Sequence, residues 1–395
     1  MWLCLLCPQA PPPSDDLNPM VASQTLESTQ DTWSELITRC DPPFPRVLQD
    51  WKDYKAPFRQ GMKHWEVLRP FFASKGYVMY QTMPDSGEQY WPSSSESPSL
   101  APPSERTHPF ARTLPYDTNC SFLIGSHCVW PARDSSGRDV VIKIISEFDN
   151  PSTEWMILQK LNDPHLLSNP RNRTIHVLEY ITFDKFVFAV MPRWDCAFVP
   201  PFSSVSELME LAKSYLEALD FLHTHRIVHR DIGRANTGMN VYGPFERLDA
   251  ELGLRKAGEV EYIIYDFGNS LLYPADTDIS NVKTTMRLRY YHALPPVGAY
   301  NPFKSDVAMM GGLLMTSVMY CAKFVPEIES FLDHMMDEDE ERRPTASEAL
   351  KTFMDLYSSL TKEQVGAFFM NPSSYRQNKS NEAYQNQYSA HILPP

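Results

Sequence analysis

The stretch IVHRDIGRAN, residues 227–236, decides how the rest of the chain is interpreted. It places Asp231 five residues before Asn236, and an apolar run further along ends in Asp266 of the tripeptide DFG. In metal-assisted phosphoryl transfer one carboxylate aligns the attacking hydroxyl, while an amide oxygen and a second carboxylate hold Mg²⁺. The spacing therefore indicates phosphoryl-transfer chemistry, with Asp231 at the acceptor and with Asn236 and Asp266 on the metal.

Composition limits the classes of protein that remain. The 395 residues are 43% hydrophobic and carry a formal net charge of -13, which argues against non-specific binding to nucleic acid or anionic membranes. The seven cysteines are scattered, which predicts a reduced compartment and no zinc site. The first apolar run, MWLCLLCP, is too short for a signal peptide, and no stretch approaches membrane-spanning length. We expect a cytoplasmic or nuclear protein.

Composition also changes along the chain. Residues 1–46 are polar and proline-rich and are predicted to be a disordered leader, as is the polar tail 361–395. Residues 47–115 form an aromatic-rich extension that ends in a flexible Ser/Pro linker at 92–109. Within the extension, HWEVLRPFFASKGYVMY (64–80) predicts a short helix, a glycine turn and a strand that pack on the body of the protein.

Strand patterns dominate the next part of the chain. Apolar runs at 122–130, 140–145, 176–183, 186–191 and 262–265 are predicted strands, and the first two are separated by the turn signal DSSG. Lys143 lies inside the second run, and Ser152-Thr153-Glu154 is a capped helix start that follows it.

Two helices are well signalled later in the chain. The capping box Ser204–Glu207 precedes apolar residues at helical spacing, and this helix leads into the stretch 227–236. A second capping box, Thr345–Glu348, follows Pro344 and opens a late helix.

The order lysine, glutamate, HRDxxxxN and DFG resembles that of the eukaryotic protein kinases. The resemblance covers roughly residues 116–360 and implies a bilobal α+β fold with an N-terminal extension, an N-lobe at 116–192 and a C-lobe at 193–360. Among kinases, RPFFASKGYVMY, the short lysine-to-glutamate spacing and YNPFKSDV resemble kinase-like proteins of basidiomycete fungi.

The resemblance also implies roles for individual residues, with ATP and Mg²⁺ as cofactors. Lys143 would contact the α- and β-phosphates and pair with Glu154, facing a cleft that also holds Asp266. His229 would pack in the core, and Asp306 would open a buried helix that braces the catalytic loop. The residues around the nucleotide would be Gly125 in the phosphate-covering loop, Val129 and Val141 at the base, Met191 as gatekeeper, and Pro192 and Trp194 in the hinge.

The chain departs from the family pattern in several places. Gly233 stands where a lysine usually contacts the γ-phosphate, and we expect the longer side chain of Arg234 to cover that gap, or else to face solvent or pair with an acidic residue. Gly238 replaces the apolar residue beneath the base. The segment 269–296 lacks the glutamate that usually ends it. Arg230 would pair with a phosphate or carboxylate of this segment.

Three function classes remain open. The leading one is transfer of the ATP γ-phosphate to serine or threonine of a protein substrate. A pseudokinase or scaffold without turnover is the second, because Gly125 is alone in its loop, Gly238 lies beneath the base and the terminal glutamate is missing. A small-molecule phosphotransferase with the same Asp-to-Asn spacing is the third.

Overall fold

The structure is a computed structural model. It describes residues 37–38, 40–41, 43–52, 58–82, 89–92, 96–112, 122–123, 126–198, 202–241, 258–288 and 298–369. Within these residues the fold mixes α-helices with short antiparallel sheets, of which the largest has five strands.

The five-stranded sheet has the order β1-β5-β6-β8-β7, and every neighbouring pair is antiparallel. Two three-stranded sheets, β2-β3-β4 and β12-β11-β9, and the pair β10-β13 complete the strands. Their bounds are β1 Tyr77–Met79, β2 Gln81–Thr82, β3 Gln89–Trp91, β4 Phe122–Leu123, β5 Val129–Asp134, β6 Asp139–Glu147, β7 Glu179–Phe183, β8 Phe186–Pro192, β9 Asp195–Cys196, β10 Ile227–Val228, β11 Thr237–Met239, β12 Tyr262–Ile264 and β13 Leu271–Leu272.

The helices lie before, within and after the sheets. Their bounds are α1 Leu48–Lys52, α2 Phe58–Ser74, α3 Thr153–Leu161, α4 Pro164–Leu167, α5 Val205–Thr224, α6 Pro302–Val318, α7 Glu327–Met335, α8 Ala346–Ser359 and α9 Lys362–Val365. Among the described residues no helix is both long and apolar enough to cross a membrane.

Strand β8 is buried on both faces of the large sheet. Side chains alternate between the two faces of a strand, and all seven residues of β8 are buried. Phe186, Phe188 and Val190 belong to a hydrophobic cluster with the N-terminal aromatic residues. Val187, Ala189 and Met191 belong to the larger cluster built around the C-terminal helices. The sheet is therefore shared by two cores.

The N-terminal aromatic residues pack on the sheet, as predicted. Trp51 and Trp65 are buried, and Trp65 packs edge-on against Phe188 with 5.9 Å between ring centroids. The helix α2 is longer than predicted and tolerates Pro70 in its interior. The core also includes Phe44, which precedes the expected boundary at residue 46. Its ring packs against that of Phe186, with 6.2 Å between the ring centroids.

The segment 96–112, of which 96–109 falls within the predicted flexible linker, is packed instead. The N–H of Ala101 donates to the carbonyl of Gly137 at 2.8 Å, at the turn between β5 and β6. The N–H of Arg112 donates to the carbonyl of Asn240 at 2.7 Å, beside β11. Composition missed this packing because main-chain hydrogen bonds and a few buried side chains, including Phe110, hold the segment.

Helix caps follow the sequence signals with one difference. Thr345 and Glu348 form a reciprocal capping box at the start of α8. At α5, Ser204 accepts from the N–H of Glu207, but the Glu207 carboxylate turns back to the N–H of Ser203 at 2.7 Å. The described residues extend to 369 and include α9, which lies within the tail predicted as disordered from residue 361. Residues 370–395 lie outside the described part.

Candidate active site

Antiparallel pairing of two short strands builds the base of the site. In β10 and β13, Ile227 lies opposite Leu272 and Val228 lies opposite Leu271. This register brings the residues that follow Val228 alongside those that precede Leu271. The stretch 229–231 therefore lies beside the stretch that follows Asp266.

Asp306 braces this loop from the interior of α6. Its carboxylate accepts from the main-chain N–H of His229 at 2.6 Å and of Arg230 at 2.8 Å. It also lies 3.3 Å from Nε2 of His223, and its exposure is 0%. The helix itself begins one turn earlier than expected, at Pro302, with Asn301 as N-cap. A buried carboxylate with several N–H donors fixes the loop backbone.

The carboxylate of Asp231 is buried with unequal oxygens. Its Oδ2 accepts from Nδ2 of Asn269 at 2.9 Å. Its Oδ1 has no hydrogen-bond partner within the described residues. Because a buried carboxylate oxygen without a donor is unfavourable, this atom suits an incoming hydroxyl or another donor.

Two residues with oxygen-bearing side chains, Asn236 and Asp266, lie next to the paired ends of β11 and β12. The N–H of Tyr265 donates to the carbonyl of Asn236 at 3.0 Å, which places Asn236 beside the residue that precedes Asp266. The Asn236 amide donates to the carbonyl of Asp231 at 2.7 Å, so its Oδ1 faces away from that contact. Amide and carboxylate oxygens are the hard donors that Mg²⁺ prefers.

The two oxygen donors, Asn236 and Asp266, can be tested for their fit to a magnesium ion. The described residues contain no group of three or more His, Cys, Asp or Glu side chains that could hold a metal. Mg²⁺ commonly binds through one or two carboxylates together with substrate phosphates, and it keeps several waters. Asn236 and Asp266 therefore fit Mg²⁺ bound together with a phosphorylated ligand.

The backbone of Asp266 is held in an unusual conformation. Its φ is +68°, in the left-handed region that non-glycine residues rarely adopt. The N–H of Gly268 donates to Asp266 Oδ1 at 3.1 Å and helps to hold this turn. Local strain of this kind persists where the surrounding structure fixes it, and it concentrates at functional sites.

Lys143 joins two carboxylates at the centre of the site. Its Nζ lies in hydrogen-bond contact with Oε1 of Glu154 and 2.7 Å from Oδ1 of Asp266. Burial opposes the charge on Lys143, but Asp266 and Glu154 outweigh it and raise its pKa above the usual range. Burial also opposes the charge on Asp266 and by itself would raise its pKa, but the nearby Lys143 outweighs this effect and lowers the pKa of Asp266 to about 2. The site thus holds a charged lysine and a charged aspartate.

The sheet register places four of the predicted nucleotide residues on one face. Val129 lies opposite Lys143, and Met191 lies opposite Val141. Since Val141 and Lys143 are two residues apart on β6, all four side chains share the face that carries the Lys143–Asp266 contact. Val129 and Val141 are partly exposed there, whereas Met191 is buried.

The predicted hinge lies between β8 and β9. Pro192 ends β8 opposite Val140. Its side chain therefore points away from the face that carries Met191, and only its main chain borders that face. The Trp194 side chain turns to the N-terminal segment, where its Nε1 donates to the carbonyl of Pro109 at 2.8 Å. The predicted hinge is therefore anchored by the segment 96–112.

Gly238 lies beneath this hinge, and the structure explains its lack of a side chain. An added Cβ would lie 3.0 Å from Cε1 of Tyr265 and 3.4 Å from Cβ of Trp194. The Tyr265 ring therefore occupies the space that an apolar side chain at position 238 would need. Sequence reasoning missed Tyr265. A large aromatic residue next to Asp266 together with a glycine at 238 could have suggested that the two residues pack against each other.

The two arginines of the loop have main-chain partners. Arg230 donates to the carbonyls of Asn269 at 3.0 Å and Arg287 at 2.7 Å, and no ion pair links it to a carboxylate within the described residues. Both acceptors belong to the segment 269–296, and the pairing of Arg230 with a phosphate or carboxylate of that segment stays a prediction. Arg234 is exposed, and its Nη2 donates to the carbonyl of Phe198 at 2.6 Å.

Two further expectations have different outcomes. His229 has 0% exposure, and its Nε2 contacts the carbonyl of Tyr265 at 3.0 Å, so it packs in the core as predicted. Gly125, the predicted phosphate-loop glycine, lies outside the described residues. Asn269 was missed, because no spacing rule marks the residue that follows DFG. Only the contact with Asp231 singles it out.

No family model and no curated protein matches the chain. Among solved structures, one match is described as the crystal structure of Rad53 kinase domain and SCD2. It is 18% identical and covers 64% of this chain and 92% of that chain, with a TM-score of 0.38. At this identity and TM-score the likeness carries no argument about what the chain does.

Proposed function

We propose that this protein is an ATP-dependent phosphotransferase of the bilobal protein-kinase type, which transfers the γ-phosphate to serine or threonine hydroxyls of a protein substrate. The observation that supports it best is the convergence of Lys143 with Glu154 and Asp266, beside the buried carboxylate of Asp231. A core-packing cluster would not need an unpartnered carboxylate oxygen next to two prospective metal ligands.

Each residue of the site then has a distinct part. Lys143, kept charged by its two carboxylates, binds the α- and β-phosphates, and Glu154 holds it in place. Asp231 accepts the hydrogen bond of the substrate hydroxyl and orients it for attack. When Mg²⁺ is bound by Asn236 and Asp266, it neutralises charge on the phosphates.

The surrounding residues recognise the rest of the nucleotide. Val129, Val141 and Met191 line the base from the sheet, and the main chain at Pro192 and Trp194 offers one carbonyl and one N–H to its edge. Gly125 is proposed to lie over the phosphates. Arg234 is proposed to balance charge at the γ-phosphate in place of a lysine at 233, with the carbonyl of Phe198 anchoring one nitrogen of its guanidinium.

The net charge of -13 argues against nucleic acid or an anionic membrane as a partner. We propose a protein substrate and a location in the cytoplasm or nucleus. A non-catalytic nucleotide-binding protein is the second candidate. It is favoured by Gly238, which offers no apolar side chain beneath the base and which has the Tyr265 ring beside it. A small-molecule phosphotransferase remains the third.

Two substitutions in purified protein test the proposal. Asp231→Asn should lower phosphate transfer from labelled ATP by about 10²-fold or more and leave Mg²⁺-ATP binding almost unchanged. Asp266→Asn should weaken Mg²⁺-ATP binding as well, because it removes a metal ligand. Asp355→Asn, at an exposed position on α8, is the matched control and should change neither quantity.

Generic protein substrates and small alcohols are assayed side by side. Equal transfer by the wild type and Asp231→Asn would remove the catalytic proposal. Transfer to small alcohols alone would favour the third candidate, and nucleotide binding without any transfer would favour the second.

A further inference from the structure

We propose that Asn269 is the positioning residue of Asp231: it holds the carboxylate so that Oδ1 faces the substrate hydroxyl. The inference rests on the proposed phosphotransferase function. Gly233 has no side chain, and Arg234 directs its guanidinium to the carbonyl of Phe198. Among the described residues, Asn269 is the one whose side chain is hydrogen-bonded to the Asp231 carboxylate.

The fold places Asn269 at this point through its backbone. The β10–β13 register continues past the strands: the hydroxyl of Ser270 donates to the carbonyl of His229 at 3.1 Å. The guanidinium of Arg230 then donates to the carbonyl of Asn269 at 3.0 Å. Residue 269 is thus fixed opposite Arg230 by contacts that do not involve its own side chain. A substitution of the side chain should leave this frame in place.

The polarity of the contact is set by charge. The Asn269 amide could present either its nitrogen or its oxygen to the carboxylate, and only the nitrogen carries hydrogens. With Nδ2 2.9 Å from Oδ2, the amide donates to the carboxylate and the opposite orientation would be repulsive. The bond occupies Oδ2 and leaves Oδ1, which has no hydrogen-bond partner within the described residues.

The difference between the two Asp231 oxygens, one bonded and one without a partner within the described residues, defines the role of Asn269. Without its donor the carboxylate could rotate, and Oδ1 would no longer have a fixed direction toward the acceptor. A misplacement of about 1 Å at a reacting group can cost about 10²-fold in rate. Asn269 contacts neither Asn236 nor Asp266 through its side chain, so nucleotide binding should not depend on it.

A series at position 269 tests the role in the full-length protein. We expect kcat to fall in the order wild type, Asn269→Gln, Asn269→Ala, Asn269→Asp. Gln keeps a donor at a longer reach, Ala removes it, and Asp replaces it with a repelling carboxylate of nearly the same shape. The Ala variant should lose about 10-fold to 100-fold in kcat. KM for ATP and the Kd for Mg²⁺-ATP should stay within about twofold, because the Asn269 side chain is hydrogen-bonded to Asp231 and not to either prospective metal ligand.

Asn281→Ala is the matched control. It removes another amide of the same segment, which donates to Asp278 at 2.6 Å on the exposed surface, and it should leave kcat unchanged. If Asn269→Ala lowers nucleotide affinity and kcat together, the side chain has a structural role and the proposal is wrong. If Asn269→Ala raises kcat, the contact restrains Asp231 rather than positioning it, and the proposal is equally wrong.

The same assay separates this proposal from the proposed function. Transfer that depends on Asp231 but is unaffected by every substitution at 269 overturns the role of Asn269 alone. Absence of transfer in the wild type overturns both.

Discussion

The ring of Tyr265 fills the space next to Gly238: a Cβ added to Gly238 would lie 3.0 Å from Cε1 of that ring. Gly238→Val should therefore destabilise the protein by about 1–3 kcal/mol, because a side chain there must displace a packed ring. Removal of the ring with Tyr265→Ala should offset part of this cost. The measurement is a double-mutant cycle of urea unfolding.

The coupling energy between the two sites decides that prediction. Contacting residues usually couple by about 0.5–3 kcal/mol. Additive effects of Gly238→Val and Tyr265→Ala would show that the ring and the glycine do not compete for the same space.

The second prediction concerns the charge of Lys143. Lys143→Met leaves the buried Glu154 and the nearby Asp266 without their shared cation, which should cost about 3–5 kcal/mol of unfolding free energy. Because burial already raises the pKa of Glu154, this carboxyl should be protonated in the variant, and the protonated form stabilises the folded state at low pH. The loss should therefore be larger at pH 8 than at pH 6.

Two companion variants test that account. Glu154→Gln in the Lys143→Met background should recover much of the stability and flatten its pH dependence. Lys213→Met, which breaks a half-exposed pair with Glu210, should cost less than about 1 kcal/mol. A loss in Lys143→Met that does not change with pH would argue against a protonated Glu154 in the folded variant, because a carboxyl that is ionised in both the folded and the unfolded state adds no pH dependence.

The third prediction concerns the brace at Asp306. Asp306→Ala would leave the N–H groups of His229 and Arg230 without their acceptor in a buried environment. The expected cost is about 3 kcal/mol or more, because each bond to a buried charged group contributes about 1.5–3 kcal/mol. Asp306→Asn keeps one acceptor oxygen and should cost less. Equal unfolding midpoints for Asp306→Ala and Asp306→Asn would contradict the brace.

The fourth prediction concerns Arg234. If its guanidinium balances charge at the γ-phosphate, Arg234→Ala should lower kcat more than it raises KM for ATP, since the interaction belongs to the transition state. Gly233→Lys in that background should recover part of the loss. An unchanged kcat would show that Arg234 serves only the carbonyl of Phe198.

The fifth prediction concerns pH and His176, which packs against His108 with ring centroids 4.5 Å apart. Burial and then the charge of His108 lower the pKa of His176 to about 4. The unfolded chain binds a proton at this residue near its ordinary pKa of about 6.5, so acid favours the unfolded state between those two values. His176→Phe should remove this acid-induced loss of folding stability. Unfolding free energies of both proteins from pH 7 to pH 4 provide the measurement.

His108, which packs against His176, affects the pH dependence of stability in the opposite direction. The hydrogen bond to Glu261 raises the pKa of His108. The stabilisation that the protonated His108 gives the folded state is therefore complete at low pH and is lost as pH rises through the raised pKa. The comparison of wild type with His176→Phe isolates His176 because both proteins keep His108 and Glu261. Parallel stability curves for the two proteins would contradict the assignment.

The sequence by itself determined the local elements and the order of the polar residues. Helix α5 follows from apolar spacing and a capping serine, and β6 and β8 follow from short apolar runs. The contact of Lys143 with Glu154 was expected from the resemblance to the kinase order of lysine and glutamate, and the capped start of α3 located the glutamate. These features depend on neighbours in the chain, so periodicity and capping chemistry reveal them.

Only the tertiary structure decided which distant groups meet. The Asn269–Asp231 hydrogen bond depends on the pairing of β10 with β13, and the contact of Tyr265 with Gly238 depends on the pairing of β11 with β12. The packing of residues 96–112 along the hinge depends on main-chain hydrogen bonds, which leave no trace in side-chain composition. Such contacts join residues far apart in sequence, and their register is set by the buried faces of whole elements rather than by any local pattern.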